Sequence, residues 1–455
     1  MENLLGLKKL CGMFMSFVCM MLVCSCSSDE YRNAIPSTAT ALVRINTSRI
    51  DGSEAMRTLS SLLSTDNLAE SGIDLKSDIF AFETVDGNFG MCAKVGDQDK
   101  LAEFMNSLSS KGKCGTVRKQ NGCFFSDINN VWAVGFSNKA LLVLGPVSAA
   151  AIADAQAGLA KMLRQKEESS IVGTPMYAKL DSMESAVSMV AQVQALPEKM
   201  MAPFIIGAPK DADASQVLVA VDFSKSGGTI RMSGETFSFD KSINAALAKA
   251  HMVYRKINSD YIALVPQNCS VGLFTNVDGK QFLPLLHDNK SMQALLVGIN
   301  TAIDFDNITR SVDGNLFLVS SGMLSSKLNL TMLARTDKPL WTGDVDYWKQ
   351  SCPAGSRITG AGQSWRYSGK DANFAFGLVG NMFYLTTDDS MNPTIPGQKH
   401  AAIGNDIQGL IKGNRMVMLL NLQSLTSGGG LLPQGVGNFM KAMLGNAEYI
   451  VYTMK

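Results

Sequence analysis

The sequence predicts an α+β protein made of two divergent tandem modules, with mainly antiparallel sheets and helices packed on one face. Three observations predict this fold class. Short runs of alternating apolar and polar residues indicate strands, and several runs are joined by tight turns. Segments with an apolar residue every three or four positions indicate amphipathic helices between the strands. The motif that opens the folded part of the chain recurs about halfway along it.

The first predicted elements are a strand at 40–45 and a hairpin at 79–95. The hairpin turns around Asp86-Gly87-Asn88, because Gly accepts a positive φ. Asp97 caps the helix that follows, which carries one apolar stripe. Further strands are centred on Phe124, Val134 and Val143.

Three longer helices are predicted after these strands. The first spans 148–168, and the second begins at Thr174-Pro175 and continues as one apolar stripe to Val190. The third spans 240–257. The remaining predicted strands lie at 217–223, 229–239, 316–319, 328–334, 374–379, 382–386, 416–422 and 449–452.

Two short motifs recur late in the chain. Ile35-Pro36 recurs 230 positions later as Val265-Pro266. Val85-Asp86-Gly87-Asn88 recurs as Val312-Asp313-Gly314-Asn315. This period is far longer than the roughly 20–50 residues of solenoid repeats, so we interpret it as a tandem duplication. The predicted modules span 34–260 and 261–455.

Residues 1–25 are predicted to be a bacterial signal peptide. Lys8 and Lys9 precede an apolar run, Leu10 to Val23, of 14 residues. As a helix this run is about 21 Å long, too short for a hydrocarbon core of about 30 Å, so we expect removal rather than permanent insertion. It ends in Val23-Cys24-Ser25-Cys26, which resembles the lipobox at which signal peptidase II cuts before a lipidated cysteine.

Cys26 is therefore the predicted lipidation site, and 26–33 the predicted lipidated tether. Several acyl chains hold a protein durably, since each buried CH₂ contributes about 0.8 kcal/mol. Asp29-Glu30 resembles the surface-export signal of Bacteroidetes lipoproteins, which predicts an outer-membrane lipoprotein exposed at the cell surface. The alternatives are an ordinary secretory signal with an incidental cysteine, and a plain solvated tether.

Composition excludes two classes of protein. The chain has 41 Lys+Arg against 40 Asp+Glu, which argues against nucleic-acid binding, and 46% hydrophobic residues, which argues against wholesale disorder. Removal of Lys8, Lys9 and Glu2 with the signal leaves a mature chain of zero formal net charge. The predicted partners are therefore the membrane, through the N-terminal lipid, and a protein or glycan.

Cysteine and histidine patterns predict no cofactor, metal or catalytic residue. After Cys26 an odd number of cysteines remains and no CxxC occurs, so we favour buried free thiols, with disulfides left open. Three histidines are present without HExxH spacing, and there is no GxSxG elbow. We expect His251 at the boundary of an apolar helix stripe. The cysteines are Cys92, Cys114, Cys123, Cys269 and Cys352, and the other histidines are His287 and His400.

Some side chains have a functional interpretation beside a structural one. Asp304-x-Asp306-Asn307 and Asp344-x-Asp346 offer oxygen ligands for calcium but lack the EF-hand Gly and Glu, so solvated loops are favoured. The Gly-rich loop at Ser427 to Gly437 lacks the Lys of a P-loop. Four tryptophans offer a carbohydrate-stacking platform, although core packing is favoured. They are Trp132, Trp341, Trp348 and Trp365.

The N-terminal residues carry a family resemblance. Cys26 with its acidic tether, then Tyr31 and Ala34-Ile35-Pro36, resemble the start of a Bacteroidetes envelope lipoprotein family of unknown function, as does the stretch Ile73 to Ile79. The resemblance covers nearly the whole mature chain. It implies an envelope lipoprotein with no established activity and supplies no catalytic residues.

The sequence supports two functional hypotheses. The favoured one is a non-enzymatic binding or assembly lipoprotein. The alternative is an envelope hydrolase that cleaves peptide or glycan with carboxylates or with His287 or His400. Titratable side chains converging in a cleft would favour the hydrolase.

Overall fold

A computed structural model describes the chain from Asp29 onward, with gaps. Its contacts divide it into two compact units, Met1–Ser182 and Met183–Lys455, called unit 1 and unit 2 below. Cys26, His400 and the loop at Ser427 to Gly437 lie outside the described residues. Those residues are 29–49, 68–196, 198–288, 293, 300, 302–321, 329–370, 372–395, 401–422 and 447–454, of which 198–200 are described without side chains.

Unit 1 contains seven antiparallel strands in the spatial order β1-β2-β3-β7-β6-β5-β4. The predicted strands and the hairpin at 79–95 are confirmed, with Glu83 opposite Phe89 across the turn. The strands are β1 (Ala41–Ile45), β2 (Ile79–Glu83), β3 (Phe89–Lys94), β4 (Arg118–Gln120), β5 (Cys123–Ile128), β6 (Trp132–Phe136) and β7 (Ala140–Gly145).

The helices of unit 1 are α1 (Gln98–Ser110), α2 (Ile152–Met162) and α3 (Pro175–Asp181). Asp97 caps α1 as predicted, because its carboxylate accepts hydrogen bonds from the N–H groups of Asp99 and Lys100. Helix α2 is shorter than predicted. The predicted helix from Thr174 to Val190 is wrong beyond α3, since residues 187–192 form a strand.

Asn121 and Gly122 join β4 to β5. Both have a positive φ, 50° and 78°, as a two-residue hairpin turn requires. Cys123 lies opposite Gln120. The turn places the Asn121 side chain beside the end of α2, where both cavities described below lie.

Unit 2 contains twelve strands in the order β8-β9-β10-β19-β18-β11-β12-β13-β17-β16-β15-β14. Its pairs are antiparallel except β10 with β19, where Thr229 lies opposite Tyr449. They are β8 (Val187–Gln192), β9 (Leu218–Ser226), β10 (Thr229–Phe237), β11 (Val271–Asp278), β12 (Val312–Ser320), β13 (Leu330–Thr336), β14 (Arg357–Ala361), β15 (Ser364–Ser368), β16 (Asn373–Val379), β17 (Met382–Thr386), β18 (Met416–Asn421) and β19 (Tyr449–Met454).

The described helices of unit 2 are short. They are α4 (Glu198–Ile205), α5 (Lys241–His251), α6 (Gly279–Asp288), α7 (Phe305–Arg310), α8 (Val345–Gln350) and α9 (Asn405–Ile411). Among the described residues of the chain, no helix combines the length and the apolar character needed to cross a membrane.

The predicted fold class is wrong. The described residues are strand-dominated, with seven strands in unit 1 and a mixed sheet of twelve strands in unit 2, and they do not form two tandem antiparallel modules. The predicted boundary between residues 260 and 261 cuts through unit 2, because β10 pairs in parallel with β19 on the far side of it. One apolar core also crosses it, packing Val219 and Leu247 with Val277 and Phe282.

The second copy of the turn motif is a strand. Asp313, Gly314 and Asn315 belong to β12 and lie opposite Asp278, Val277 and Asn276 of β11. Gly314 has a φ of 148°, where the register of β12 against β13 shifts. The same four residue types, Val-Asp-Gly-Asn, form a turn in unit 1. The two copies of the motif therefore do not occupy equivalent structural positions.

Candidate functional site

The N-terminal segment of unit 1 is folded from its first described residues. Glu30–Ala34 form a 3-10 helix in which Tyr31 and Ala34 are buried. The Tyr31 hydroxyl donates a 2.7 Å hydrogen bond to the carbonyl of Asp78. The Gln165 amide donates to the carbonyls of Asn33 and Ile35 at 2.5 and 2.8 Å. Residues 29–33 of the predicted tether are therefore held against unit 1.

A polar cavity of about 690 Å³ lies beside this segment, and we call it the N-terminal cavity. The N-terminal segment, the β4–β5 turn, the β6–β7 turn and the end of α2 supply its wall. Glu30 and Lys139 form an ion pair on that wall. The amide side chains that line it are Gln98, Asn121, Asn138 and Gln165.

A second cavity, of about 730 Å³, lies between α2 and strands β4 and β5. We call it the cationic cavity, because Arg118, Lys161 and Arg164 line it and no carboxylate does. Gln156 on α2 donates to the carbonyl of Ser126 in β5 at 2.8 Å, which holds the helix against the strand. Asn121, Arg164 and Gln165 line both cavities.

One of the histidines considered as a candidate catalytic residue lies beside a carboxylate in the structure. His287 near the end of α6 lies 2.9 Å from Asp306 at the start of α7. Asp306 also accepts a hydrogen bond from the Asn300 side chain. Among the described residues, no hydroxyl or thiol is hydrogen-bonded to the His287 ring, so the pair has no nucleophile there.

His251, the second described histidine, ends α5 as a half-buried residue, consistent with the predicted boundary position. Burial lowers its pKa below the usual value, and the nearby Arg415 charge acts in the same direction. No described hydrogen bond links its ring to a carboxylate.

The predicted calcium ligands have protein partners. Asp304 caps α7 by accepting from the N–H of Asn307, and the Asn307 side chain donates to Asp344 at 3.1 Å. Asp346 pairs with Lys349. Within the described ranges, no group of three His, Cys, Asp or Glu side chains is arranged to hold a metal ion.

Three of the four tryptophans belong to the core of unit 2. Trp341, Trp348 and Trp365 are 0%, 6% and 5% exposed. Trp341 stacks on Trp348 with ring centroids 6.0 Å apart and meets Trp365 edge to face. Core packing is confirmed, and these rings form no carbohydrate platform. Trp132 in unit 1 is half-buried.

The cysteines in the described residues are free thiols, as predicted. Cys92, Cys114, Cys123 and Cys269 are buried, and Cys352 is half-buried. Burial raises the pKa of Cys269 to about 12 and that of Cys92 further still. Thiolates are the reactive form, so these two thiols are chemically inert at neutral pH.

Comparison with known proteins identifies the family. A family model described as "Domain of unknown function (DUF4836)" matches residues 54–398. The chain belongs to this family. The predicted membership of a family of unknown function is thereby confirmed, whereas its Bacteroidetes origin and lipoprotein character stay predictions. The DUF4836 match includes the residues of both cavities except Glu30, Asn33 and Ala34.

Other comparisons add little to the DUF4836 match. No curated protein matched the chain. Two solved structures are distantly similar, crystal forms I and III of TP0453, at 10% and 12% identity and TM-scores of 0.27 and 0.28. Each match covers 44% of this chain, and 75% and 76% of the two TP0453 chains. Similarity at this level does not establish a shared fold.

Sequence reasoning did not find the two cavities. Their walls come from segments far apart in sequence, such as Glu30, Gln98, Asn121 and Arg164. Only two local signals pointed there, the Asn121-Gly122 turn and the stretch after α2 that is rich in Lys, Arg and Gln. Neither signal indicates that the segments meet.

Proposed function

We propose that this DUF4836 protein is an outer-membrane lipoprotein, anchored through acylated Cys26, with a binding or assembly role rather than a catalytic one. The fold of unit 1 supports an anchored role, because its first helical turn begins at Glu30. Four residues of extended chain reach about 14 Å, so an anchor at Cys26 holds the N-terminal cavity close to the lipid headgroups.

The N-terminal cavity carries the proposal of binding. Its amide side chains both donate and accept hydrogen bonds without changing charge, which suits a polar protein segment or a glycan. Glu30 and Lys139 neutralise each other on this wall, and Glu167 offsets one of its two remaining cations, Arg164 and Lys166. Of the histidines in the described residues, neither lines this cavity.

Photocrosslinking tests the binding role. A photoreactive residue is placed at Asn138, which is exposed on the cavity wall, and at Lys111, an exposed control position of unit 1 outside both cavities. Irradiation of intact cells is expected to give an adduct of defined mass from Asn138 only. The binding proposal is wrong if neither position, or both equally, give adducts.

Fractionation tests the anchor separately. Cys26→Ala is expected to move the protein from the detergent phase to the aqueous phase. A variant that still partitions with the membrane would contradict the lipid anchor. Protease digestion of intact cells tests surface exposure, since complete protection would contradict display on the outer face.

A second candidate, an envelope hydrolase, is supported by the His287–Asp306 pair, because a carboxylate orients an imidazole for general-base catalysis. Its test is release of peptide or sugar fragments from purified envelopes. His287→Gln would lower release at least a hundredfold if the pair were catalytic. Equal release by wild type and variant excludes this role for the pair.

A further inference from the structure

The cations of the cationic cavity differ from others in unit 1. Elsewhere in this unit several cations have carboxylate partners, namely Arg32 with Asp29, Arg44 with Asp181, Lys94 with Asp74 and Lys139 with Glu30. Within the described part of the chain, no ion pair involves Arg118, Lys161 or Arg164. Three positive charges therefore line one cavity without neutralisation from its own wall.

The surroundings of these charges add hydrogen-bond donors. Gln120 and Asn121 extend from the β4–β5 hairpin, and the backbone fixes Asn121 in the turn. Phe125 closes the cavity wall as a buried ring. The wall thus combines two guanidinium groups, one ammonium group and four amide side chains around a space large enough for a small ligand.

We propose that the cationic cavity binds a phosphate group. The proposal rests on the proposed binding function and names the chemistry of the ligand. A phosphate carries up to two negative charges and accepts hydrogen bonds on several oxygens, which fits guanidinium forks and amide donors. A neutral ligand would make no use of the three positive charges, which are exposed to solvent.

The position of the cavity indicates where the phosphate comes from. Arg164, Gln165 and Asn121 line both cavities, so one ligand can place its phosphate among the cations and its polar body beside the N-terminal segment. If Cys26 holds that segment at the membrane, a phospholipid headgroup is the nearest phosphate. A soluble phosphate compound has the same chemistry, and the experiment separates the two sources.

The test uses the full chain with Cys26→Ala, so that the lipid anchor does not contribute to binding. One arm measures flotation with phosphatidylcholine vesicles, with and without phosphatidylglycerol. The other arm titrates inorganic phosphate by calorimetry. Arg118→Gln, Lys161→Gln and Arg164→Gln are compared with Lys111→Gln, which removes one exposed charge outside both cavities. Circular dichroism checks that each variant is folded.

We expect phosphate-dependent binding that weakens about tenfold with each cavity variant and stays unchanged with Lys111→Gln. Binding to phosphatidylglycerol vesicles assigns the headgroup as the source, and binding to inorganic phosphate alone assigns a soluble source. Absence of binding in both arms overturns the proposal, as does equal weakening by Lys111→Gln. An Asn138 crosslink that persists when no phosphate binding is found rejects this proposal alone, whereas loss of the crosslink rejects the proposed binding function itself.

Discussion

The guanidinium of Arg32 donates a 2.7 Å hydrogen bond to the hydroxyl of Tyr177, 145 positions further along the chain. It also lies 3.5 Å from Asp29 and 5.7 Å from the ring centres of Tyr31 and Phe80. This contact joins the N-terminal segment to α3. It therefore holds the N-terminal segment, which supplies part of the wall of the N-terminal cavity, against the rest of unit 1.

Arg32→Ala is expected to lower the free energy of unfolding by about 1–3 kcal/mol, because it removes a charged hydrogen-bond donor and its packing on two rings. Tyr177→Phe removes only the acceptor. A double-mutant cycle measured by urea unfolding should give a coupling energy of about 0.5–3 kcal/mol between these residues. Additive effects would contradict a direct interaction.

The packing of β19, the strand that pairs in parallel with β10, is expected to be essential to the stability of unit 2. Tyr452 on β19 is 3% exposed and meets Phe204 edge to face at 5.1 Å. Tyr452→Ala should cost about 3–5 kcal/mol of unfolding free energy. Tyr347→Ala is the matched control, since Tyr347 is 69% exposed, and should change stability by no more than about 0.5 kcal/mol. Similar losses for both would contradict this packing.

His251 makes stability depend on pH. Burial lowers its pKa in the folded state, so the unfolded chain binds the proton more readily. Stability is therefore expected to fall as pH drops below about 6.5 and to level off below the folded-state pKa. Urea unfolding of wild type and His251→Gln tests this. The wild type should lose more stability than the variant across that window, and parallel curves would exclude His251 as the cause.

Thiol reactivity follows burial. Cys352 is half-buried, whereas Cys92 and Cys269 are buried with raised pKa values. Maleimide treatment of the native protein, read by peptide mass spectrometry, should label Cys352 first. The other two should react only after unfolding. Labelling of Cys92 at the same rate as Cys352 would contradict the burial of Cys92 in β3.

Local patterns in the sequence predicted local structure well. The Asp86-Gly87-Asn88 turn and the Asp97 cap depend on neighbouring residues alone, and the structure contains both. The predicted helix beyond α3 failed because Val187 and Val190 continue an apolar stripe of helical spacing. Pairing with β9 overrides that spacing, so residues 187–192 form a strand.

Long-range pairing could not be predicted in the same way. Nothing near Thr229 encodes that its partner is Tyr449, and this parallel pair is what overturned the two-module interpretation. The cavities could not be predicted for the same reason, since Glu30 and Arg164 come to line one cavity only when the chain has folded. The net charge of the chain also gave no indication of the cationic cavity, because a chain with equal numbers of positive and negative residues can still concentrate cations at one place.

The anchor is the central claim, because it places the N-terminal cavity at a membrane. Mass spectrometry of the mature protein purified from its own cells tests it most directly. We predict a chain that begins at Cys26 and carries acyl groups on that residue. A mature chain that begins elsewhere, or an unmodified Cys26, would contradict the account.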